Sequence, residues 1–332
     1  MKRIALGLIV AATLLTAHPP VIPKQSAKPV GPYSPGMDTA DFLYISGQGV
    51  RDAEGKMADG TTDQARRCLT NIKDILEAAG LTMRHVVAVQ LYLADLAALP
   101  EVERVYSEFF SQEAPARVIV GTVRMPTGTP IEMTAVAVKD ISKKRASSEG
   151  VWAGSRLYLN GIAAPSLAKA RNTLNASLRK AGLSDKSLVS VNTYTTGKAS
   201  GNEVSIRALP DNASVALFAI ASKTPGKPAT DGCREDNNTL YCEVCPASAA
   251  GSIADQTREV FESVKARIEA HGFKLADIPA TNVWLNDLEE FQAMNAVYAS
   301  YFPDAPPTRT TIQAAPTQPG APGIRLSVVA VH

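Results

Sequence analysis

A chain of 332 residues has room for two or three ordinary domains. Hydrophobic residues make up 45% and charged residues 20%, close to the average for soluble globular proteins. With 34 Lys+Arg against 32 Asp+Glu and no basic cluster, the sequence lacks the electrostatic footprint of a nucleic-acid binder, which leaves small molecules or proteins as partners.

The first residues read as an export signal. Lys2 and Arg3 make a positive start, Ile4 to Ala17 an apolar run, and Leu15-Thr16-Ala17 a small-residue cut site. The run is short for a bilayer span, and His18, Pro19, Pro20 and Pro23 would end any helix. The expectation is a periplasmic or secreted protein cleaved near Ala17, with an uncleaved anchor or a misassigned start codon as the alternative. No membrane span is expected in the mature chain. Its formal charge falls from +2 to zero once Lys2 and Arg3 are removed.

The first unit, residues 24–141, opens on the strand pattern "DFLYISGQG", closed by Gly47 and Gly49. From Thr62 to Ala79 the apolar residues Ala65, Leu69, Ile72, Ile75, Leu76 and Ala79 recur every three or four positions. This predicts an amphipathic helix that Gly80 ends. Alternation through Val87, Val89, Leu91 and Leu93 predicts a half-buried strand, and a second helix follows over about 99–110. Two strands, Arg117 to Val123 and Pro130 to Val138, flank a turn at Pro126-Thr127-Gly128. The order β, α, β, α, β, β predicts an α+β unit, helices on one face of a mixed sheet.

A polar link, "KDISKKRASSEG", leads to a second unit, 149–223. Its start, "GSRLYLNGIA", parallels "ADFLYISGQG", with Tyr158 for Tyr44 and Gly161 for Gly47, and its first helix runs over 166–181. Only "TTGKASGNE" stands where a second helix belongs; the strands Val204 to Leu209 and Ser214 to Ala221 follow. After a second link, "KTPGKPATDG", the third unit (229–332) recovers both helices, at about 255–270 and 288–301, and ends on "IRLSVVAVH". Gly80, Gly182 and Gly272 each stand between a helix end and an alternating strand, so the chain repeats one small unit three times.

Cys68 sits on a helical face and reads as a small buried hydrophobe. Cys233, Cys242 and Cys245 cluster in "DGCREDNNTLYCEVC". In an exported protein the expected use is a disulfide from Cys233 to Cys242 or Cys245. A zinc site is the rival, but it would need a fourth ligand and no His is nearby in sequence.

The pieces "GPYSPG", "LYISGQ", "NIKDILEAAG", "VYSEFF", "PARVIV" and "IEMTAVAV" make the first unit resemble the Rid family of imine and enamine deaminases, formerly called L-PSP endoribonucleases. The third unit resembles it through "MNAVYASYF", "PPTRTTI" and "SVVAV", the second through its strands and first helix alone. The resemblance implies chorismate-mutase-like units fused as a monomeric pseudo-trimer. It implies ligand clefts between units and hydrolysis of small 2-imino acids to 2-oxo acids and ammonia, with no metal or organic cofactor. A non-enzymatic carboxylate-binding protein using the same cleft is the alternative. Ribonuclease activity lacks support, because His18, His85, His271 and His332 form no acid–base pair.

On this resemblance Arg117 binds the substrate carboxylate through two parallel donors, and Glu132 positions water or moves a proton. Tyr33, Ser46 and Gly47 match the pocket lining. The second unit has Gly201, Ala216 and Asn160 at the arginine, glutamate and serine positions. The third keeps Arg309 but has Arg325 and Glu243 at the other two, which implies anion binding without hydrolysis. The family's asparagine before the helix tyrosine is Glu103 in the first unit and Asn295 in the third. A cleft that borrows across a unit boundary would let Asn295 complete the Arg117 site. The expectation is therefore one working cleft, around Arg117 and Glu132.

Overall fold

The protein is described by a computed structural model covering residues 18–228, 231–315 and 320–332. The segment expected to direct export, 1–17, lies outside the described residues. Among those residues, no helix is long and apolar enough to cross a membrane.

Three sheets, each with its own helices, follow one another along the chain. The first contains β1 (Pro20–Val21), β2 (Gly36–Asp38), β3 (Phe42–Gln48), β4 (Val86–Leu93), β5 (Ala116–Gly121) and β6 (Ile131–Val138), in the spatial order β1-β2-β3-β6-β4-β5. Helices α1 (Gly60–Ala78) and α2 (Leu99–Phe109) supply its crossovers, and β4 and β5 run parallel. The second sheet holds β7 (Lys144–Ser147), β8 (Gly150–Ala153), β9 (Arg156–Leu159), β10 (Ile162–Ala164), β11 (Leu188–Thr195), β12 (Val204–Ser205) and β13 (Val215–Ser222). Its helix α3 (Leu167–Lys180) starts at Ser166, whose side chain accepts a hydrogen bond from the Lys169 amide. The third sheet repeats the first: β14 (Pro225–Pro228), β15 (Cys233–Asp236), β16 (Thr239–Val244), β17 (Ala280–Leu285), β18 (Thr308–Gln313) and β19 (Ile324–Val331), with helices α4 (Ile253–Ala270) and α5 (Phe291–Tyr301).

No helix lies between β11 and β12, as expected from the shortened sequence, and β12 is cut to two residues. Both segments read as links are partly strand. Residues 144–147 pair antiparallel with β8, and the proline-bounded β14 takes an edge position, where its missing N–H groups cost no ladder bond. Their polarity reflects exposed edge strands rather than free linkers.

All eight residues of β4 are buried, against the half-buried strand its alternation predicts. On one face Val89, Leu91 and Leu93 pack on the first unit's helices with Leu69 and Ile72. On the other, Ala88 and Tyr92 join Tyr44, Tyr158, Tyr194, Phe218 and Trp284, residues of all three units, in a shared central core. The sheets thus cover one another's outer faces, which removes the solvent side that the sequence pattern implied.

Cys233 and Cys242 face each other across the β15–β16 hairpin and form the disulfide, leaving Cys245 free. Cys68 is buried, as read. Asp231, Cys233 and His271 bring ligand atoms within 4.8 Å of one another. The sulfur of that trio is held in the disulfide, and the His271 ring bridges Glu235 at 2.5 Å and Asp231 at 3.0 Å.

Candidate functional site

Strand register fixes which residues of the three units are equivalent. Glu132 lies opposite Tyr92, Ala216 opposite Tyr194 and Arg325 opposite Trp284, at the same step of each central ladder. Arg117 pairs with Val89 and Arg309 with Thr281; the same count along β11 and β12 leads back to Gly201. The replacements read from sequence therefore occupy true structural counterparts.

Arg117 and Glu132, expected to share a cleft, do not meet. In the order β6-β4-β5 they are separated by β4 and offset by three residues, roughly 14 Å by strand geometry. They also point to opposite faces. Val89, the cross-strand neighbour of Arg117, packs on the helices, whereas Tyr92, that of Glu132, belongs to the central core. The Arg117 guanidinium stacks 4.1 Å from the centre of the Tyr106 ring and pairs with Glu103 at 2.6 Å. Across this boundary the second unit offers the Gly161 amide, which donates to the Arg117 carbonyl at 2.9 Å.

Glu132 meets Arg309 instead. At the boundary between the first and third units, Tyr33, Gly47, Glu132, Phe291 and Arg309 line one cleft of about 110 Å³. Arg309 is 4% exposed, and its guanidinium lies 4.8 Å from the Tyr298 ring, 5.4 Å from Phe291 and 5.7 Å from Tyr33. It has no ion-pair partner among the described residues, and its Nη1 is buried without a hydrogen bond. Beside it both amide atoms of Asn295 are buried and unpartnered. Buried polar groups are almost always paired, so these three atoms leave bonding capacity for a polar ligand; Arg117 Nη1 and the Tyr106 hydroxyl are orphaned too, but the Arg117 guanidinium already has Glu103 as its counter-ion. Asn295 thus accompanies Arg309, not Arg117.

Two glycines admit these side chains. A Cβ at Gly47 would collide with the Glu132 carboxylate, and one at Gly31 would lie 2.5 Å from Arg309 Nη2. Ser46 works behind the cleft: its hydroxyl donates to the Ser34 carbonyl and accepts from the Arg309 amide at 3.3 Å. The Ser34 hydroxyl donates to the Pro306 carbonyl at 2.6 Å. These bonds tie the first unit's loop to β18 and fix Arg309 against Glu132.

Burial pushes the Glu132 carboxyl up to about 8, against the opposing pull of Arg309. Burial and Glu132 together raise the Tyr33 phenol. At neutral pH the cleft therefore holds a guanidinium beside a mostly neutral carboxylic acid. Nothing in the linear sequence says that the arginine of the third unit faces the glutamate of the first. The sequence shows only that Asn295 and Arg309 belong to one unit, whereas Glu103 stands in the same unit as Arg117.

The third boundary is closed. Arg325 donates to the Gly201 carbonyl, placing an arginine where the first unit has its glutamate. Glu243, at the serine position, is raised to about 7 by burial. With Gly201 for the arginine, this boundary has no carboxylate clamp.

The sequence pattern of the family described as Endoribonuclease L-PSP matches residues 23–139 and 245–330, which leaves the second unit outside. A RutC family protein of Pyrococcus abyssi is 39% identical over 122 residues, 36% of this chain and 96% of its own. The 2-iminobutanoate/2-iminopropanoate deaminase of Capra hircus is 37% identical over 112 residues, 33% of this chain and 82% of its own. Among solved structures, the YjgF gene product of E. coli is 31% identical, with a TM-score of 0.36, over 36% of this chain and 98% of its own. Each relative spans about one unit of the three.

Proposed function

Because the chain belongs to the Endoribonuclease L-PSP family, also known as the Rid family, we propose that its Arg309–Glu132 cleft hydrolyses a small 2-imino acid to the 2-oxo acid and ammonia. One observation carries the reading: a buried arginine without a counter-ion and a buried carboxyl raised to about 8 converge from two units on one cleft. Relatives named 2-iminobutanoate/2-iminopropanoate deaminase support the substrate class.

The substrate carboxylate lies against the Arg309 guanidinium, whose parallel donors suit its two oxygens, and the Asn295 amide adds a further donor. This sets the imine toward Glu132. The neutral carboxyl gives its proton to the imine nitrogen while its other oxygen takes one from the attacking water. Water oxygen bonds to carbon, and the C=N π pair becomes the nitrogen lone pair. The carbinolamine then loses ammonia as its hydroxyl proton moves to nitrogen, leaving the 2-oxo acid. Water supplies the oxygen and the hydrogens balance.

On this reading the chain is a monomeric pseudo-trimer with one working cleft. Lys2, Arg3 and the apolar run to Ala17 support export, as does a structural disulfide, which persists in oxidising compartments. The test is turnover of 2-iminobutanoate generated in situ by an amino-acid oxidase, with semicarbazide trapping the imine that escapes. Faster imine loss than in buffer supports the proposal. Calorimetric binding of 2-oxobutanoate without any acceleration would reduce the cleft to a carboxylate-binding site.

A further inference from the structure

The β15–β16 hairpin carries residues that the other two units do not have. Cys233 and Cys242 stand directly opposite each other on it, with Cα atoms 4.2 Å apart. Tyr44, Tyr158 and Tyr241 fix the register, since they face Val136, Ile220 and Val329 at one step of the three ladders. Counting from them puts Gly36 and Ile45 at the cysteine positions in the first unit, and Gly150 and Leu159 in the second. His271 is the C-cap of α4; the C-caps of α1 and α3 are Ala79 and Ala181. The fold is thus built twice without the cysteines or the histidine.

These three residues converge with Asp231. Ligand atoms of Asp231, Cys233 and His271 lie within 4.8 Å of one another, and the Cys242 sulfur is bonded to that of Cys233. The Cys233 amide donates to Asp231 Oδ1 at 3.0 Å, which leaves Oδ2 facing His271 Nε2 at 3.0 Å. On the other side of the ring, Nδ1 meets Glu235 at 2.5 Å. Arg267 Nη1 donates to the Glu243 carbonyl at 3.1 Å and ties α4 to the hairpin. The histidine that the linear sequence does not place near the cysteines is therefore delivered by the end of α4.

Two thiolates, an imidazole and a carboxylate make a complete tetrahedral set for zinc. Metal–ligand distances of about 2.0–2.3 Å put such ligand atoms roughly 3.3–3.8 Å apart. The 3.0 Å contact and the 4.8 Å limit lie on either side of that spacing. Directly opposite residues of a ladder hold their Cβ atoms about 4.5–5.5 Å apart, so both sulfurs reach one ion once the bond between them is broken. Glu235, accepting from Nδ1–H, selects the tautomer that presents Nε2 to a metal. While the disulfide holds, its sulfurs carry no charge, and Asp231 and His271 alone are too few for a closed site.

We propose that the disulfide-reduced chain binds one Zn²⁺ through Cys233, Cys242, His271 and Asp231, so that the disulfide and the metal are alternative states of one hairpin. A dithiol supplies the two electrons: it is oxidised to its own disulfide while the Cys233–Cys242 bond breaks and each sulfur takes a proton. Zinc then displaces those two protons to solvent and binds the thiolates. The reverse exchange, with a small disulfide as oxidant, restores the bond and releases the ion. None of the four ligands lines the Arg309–Glu132 cleft, so the site stands apart from the deaminase reading.

The test titrates Co²⁺ and then Zn²⁺ into the full-length protein, both oxidised and after reduction with a phosphine, which adds no thiol to compete for metal. The expected result is one equivalent of Co²⁺ in the reduced protein alone, with thiolate-to-cobalt charge-transfer and tetrahedral d–d bands, displaced by one equivalent of Zn²⁺. His271→Gln and Asp231→Asn, each removing a ligand, should weaken zinc binding by more than about tenfold, the least that loss of an outer partner costs. Cys245→Ser should leave it unchanged. Circular dichroism monitors folding, and chelation by an unfolded chain would be insensitive to His271→Gln and Asp231→Asn. No cobalt bands in the reduced protein, equal binding by the oxidised form, unchanged affinity in both ligand variants, or loss of binding in Cys245→Ser would overturn the proposal.

Discussion

Replacing Arg309 and Arg117 in turn separates the two arginines that sequence alone treats as equals. Arg309 is 4% exposed and has no carboxylate of its own, so a substrate carboxylate would be its counter-ion. Truncating one partner of such a desolvated, hydrogen-bonded charge pair costs about 2–5 kcal/mol. At about 1.36 kcal/mol per decade this is roughly a 30- to 5,000-fold loss in kcat/KM for Arg309→Ala. The deep burial and the ring cage of Tyr33, Phe291 and Tyr298 argue for the upper half of that range. Arg117 is already paired with Glu103, which is 40% exposed, on the opposite face of the sheet from Glu132. Arg117→Ala should change kcat/KM less than about threefold, while stability falls through the lost stacking on Tyr106 and not only through the lost ion pair. The assay is the semicarbazide-trapping rate with 2-iminobutanoate, with circular dichroism as the control for folding. Abolished turnover in Arg117→Ala with normal turnover in Arg309→Ala would refute the reasoning.

Three further outcomes follow from the same geometry. The folded-state carboxyl of Glu132 is raised from 4.5 to about 8, so between those values the native state holds a proton the unfolded chain has lost; stability must fall as pH rises through that window. Glu132→Gln should flatten this slope in urea midpoints measured from pH 5 to 8. It should not abolish the slope, because Glu243, raised to about 7, acts in the same direction, as does His271, raised by Glu235 and Asp231. Glu103→Asn restores at Arg117 the residue that Asn295 supplies at Arg309. A second equivalent of 2-oxobutanoate should then bind calorimetrically without added turnover, since Ala216 holds the glutamate position there; unchanged stoichiometry would count against the internal-carboxylate account. Cys233→Ser with Cys242→Ser opens a short loop, and the chain-entropy relation gives a loss of roughly 2–3 kcal/mol, readable as a lower urea midpoint.

Much of the fold was legible because it is local. Periodicity marked α1, the repeat carried it over to α3 and α4, and the absent helix of the second unit showed as missing sequence between β11 and β12. Equivalences such as Ala216 and Arg325 for Glu132 were legible too, since they need counting along one strand only. The pairing of Arg309 with Glu132 was not. It joins residues 177 positions apart across a unit boundary, and repeat order does not state which edge of one unit meets which face of the next. Residues 144–147 were missed for a related reason: an edge strand with exposed polar side chains has the composition of a linker. The two-sided burial of β4 was hidden because its outer face is covered by other units, which a single strand's alternation cannot reveal.

The most direct measurement is a crystal structure of the protein soaked with 2-oxobutanoate, the unreactive product-like acid. The account predicts density in one cleft only, with the carboxylate on Arg309 and Asn295 and the 2-oxo group facing Glu132. Density on Arg117, with the Arg309 cleft empty, would contradict it.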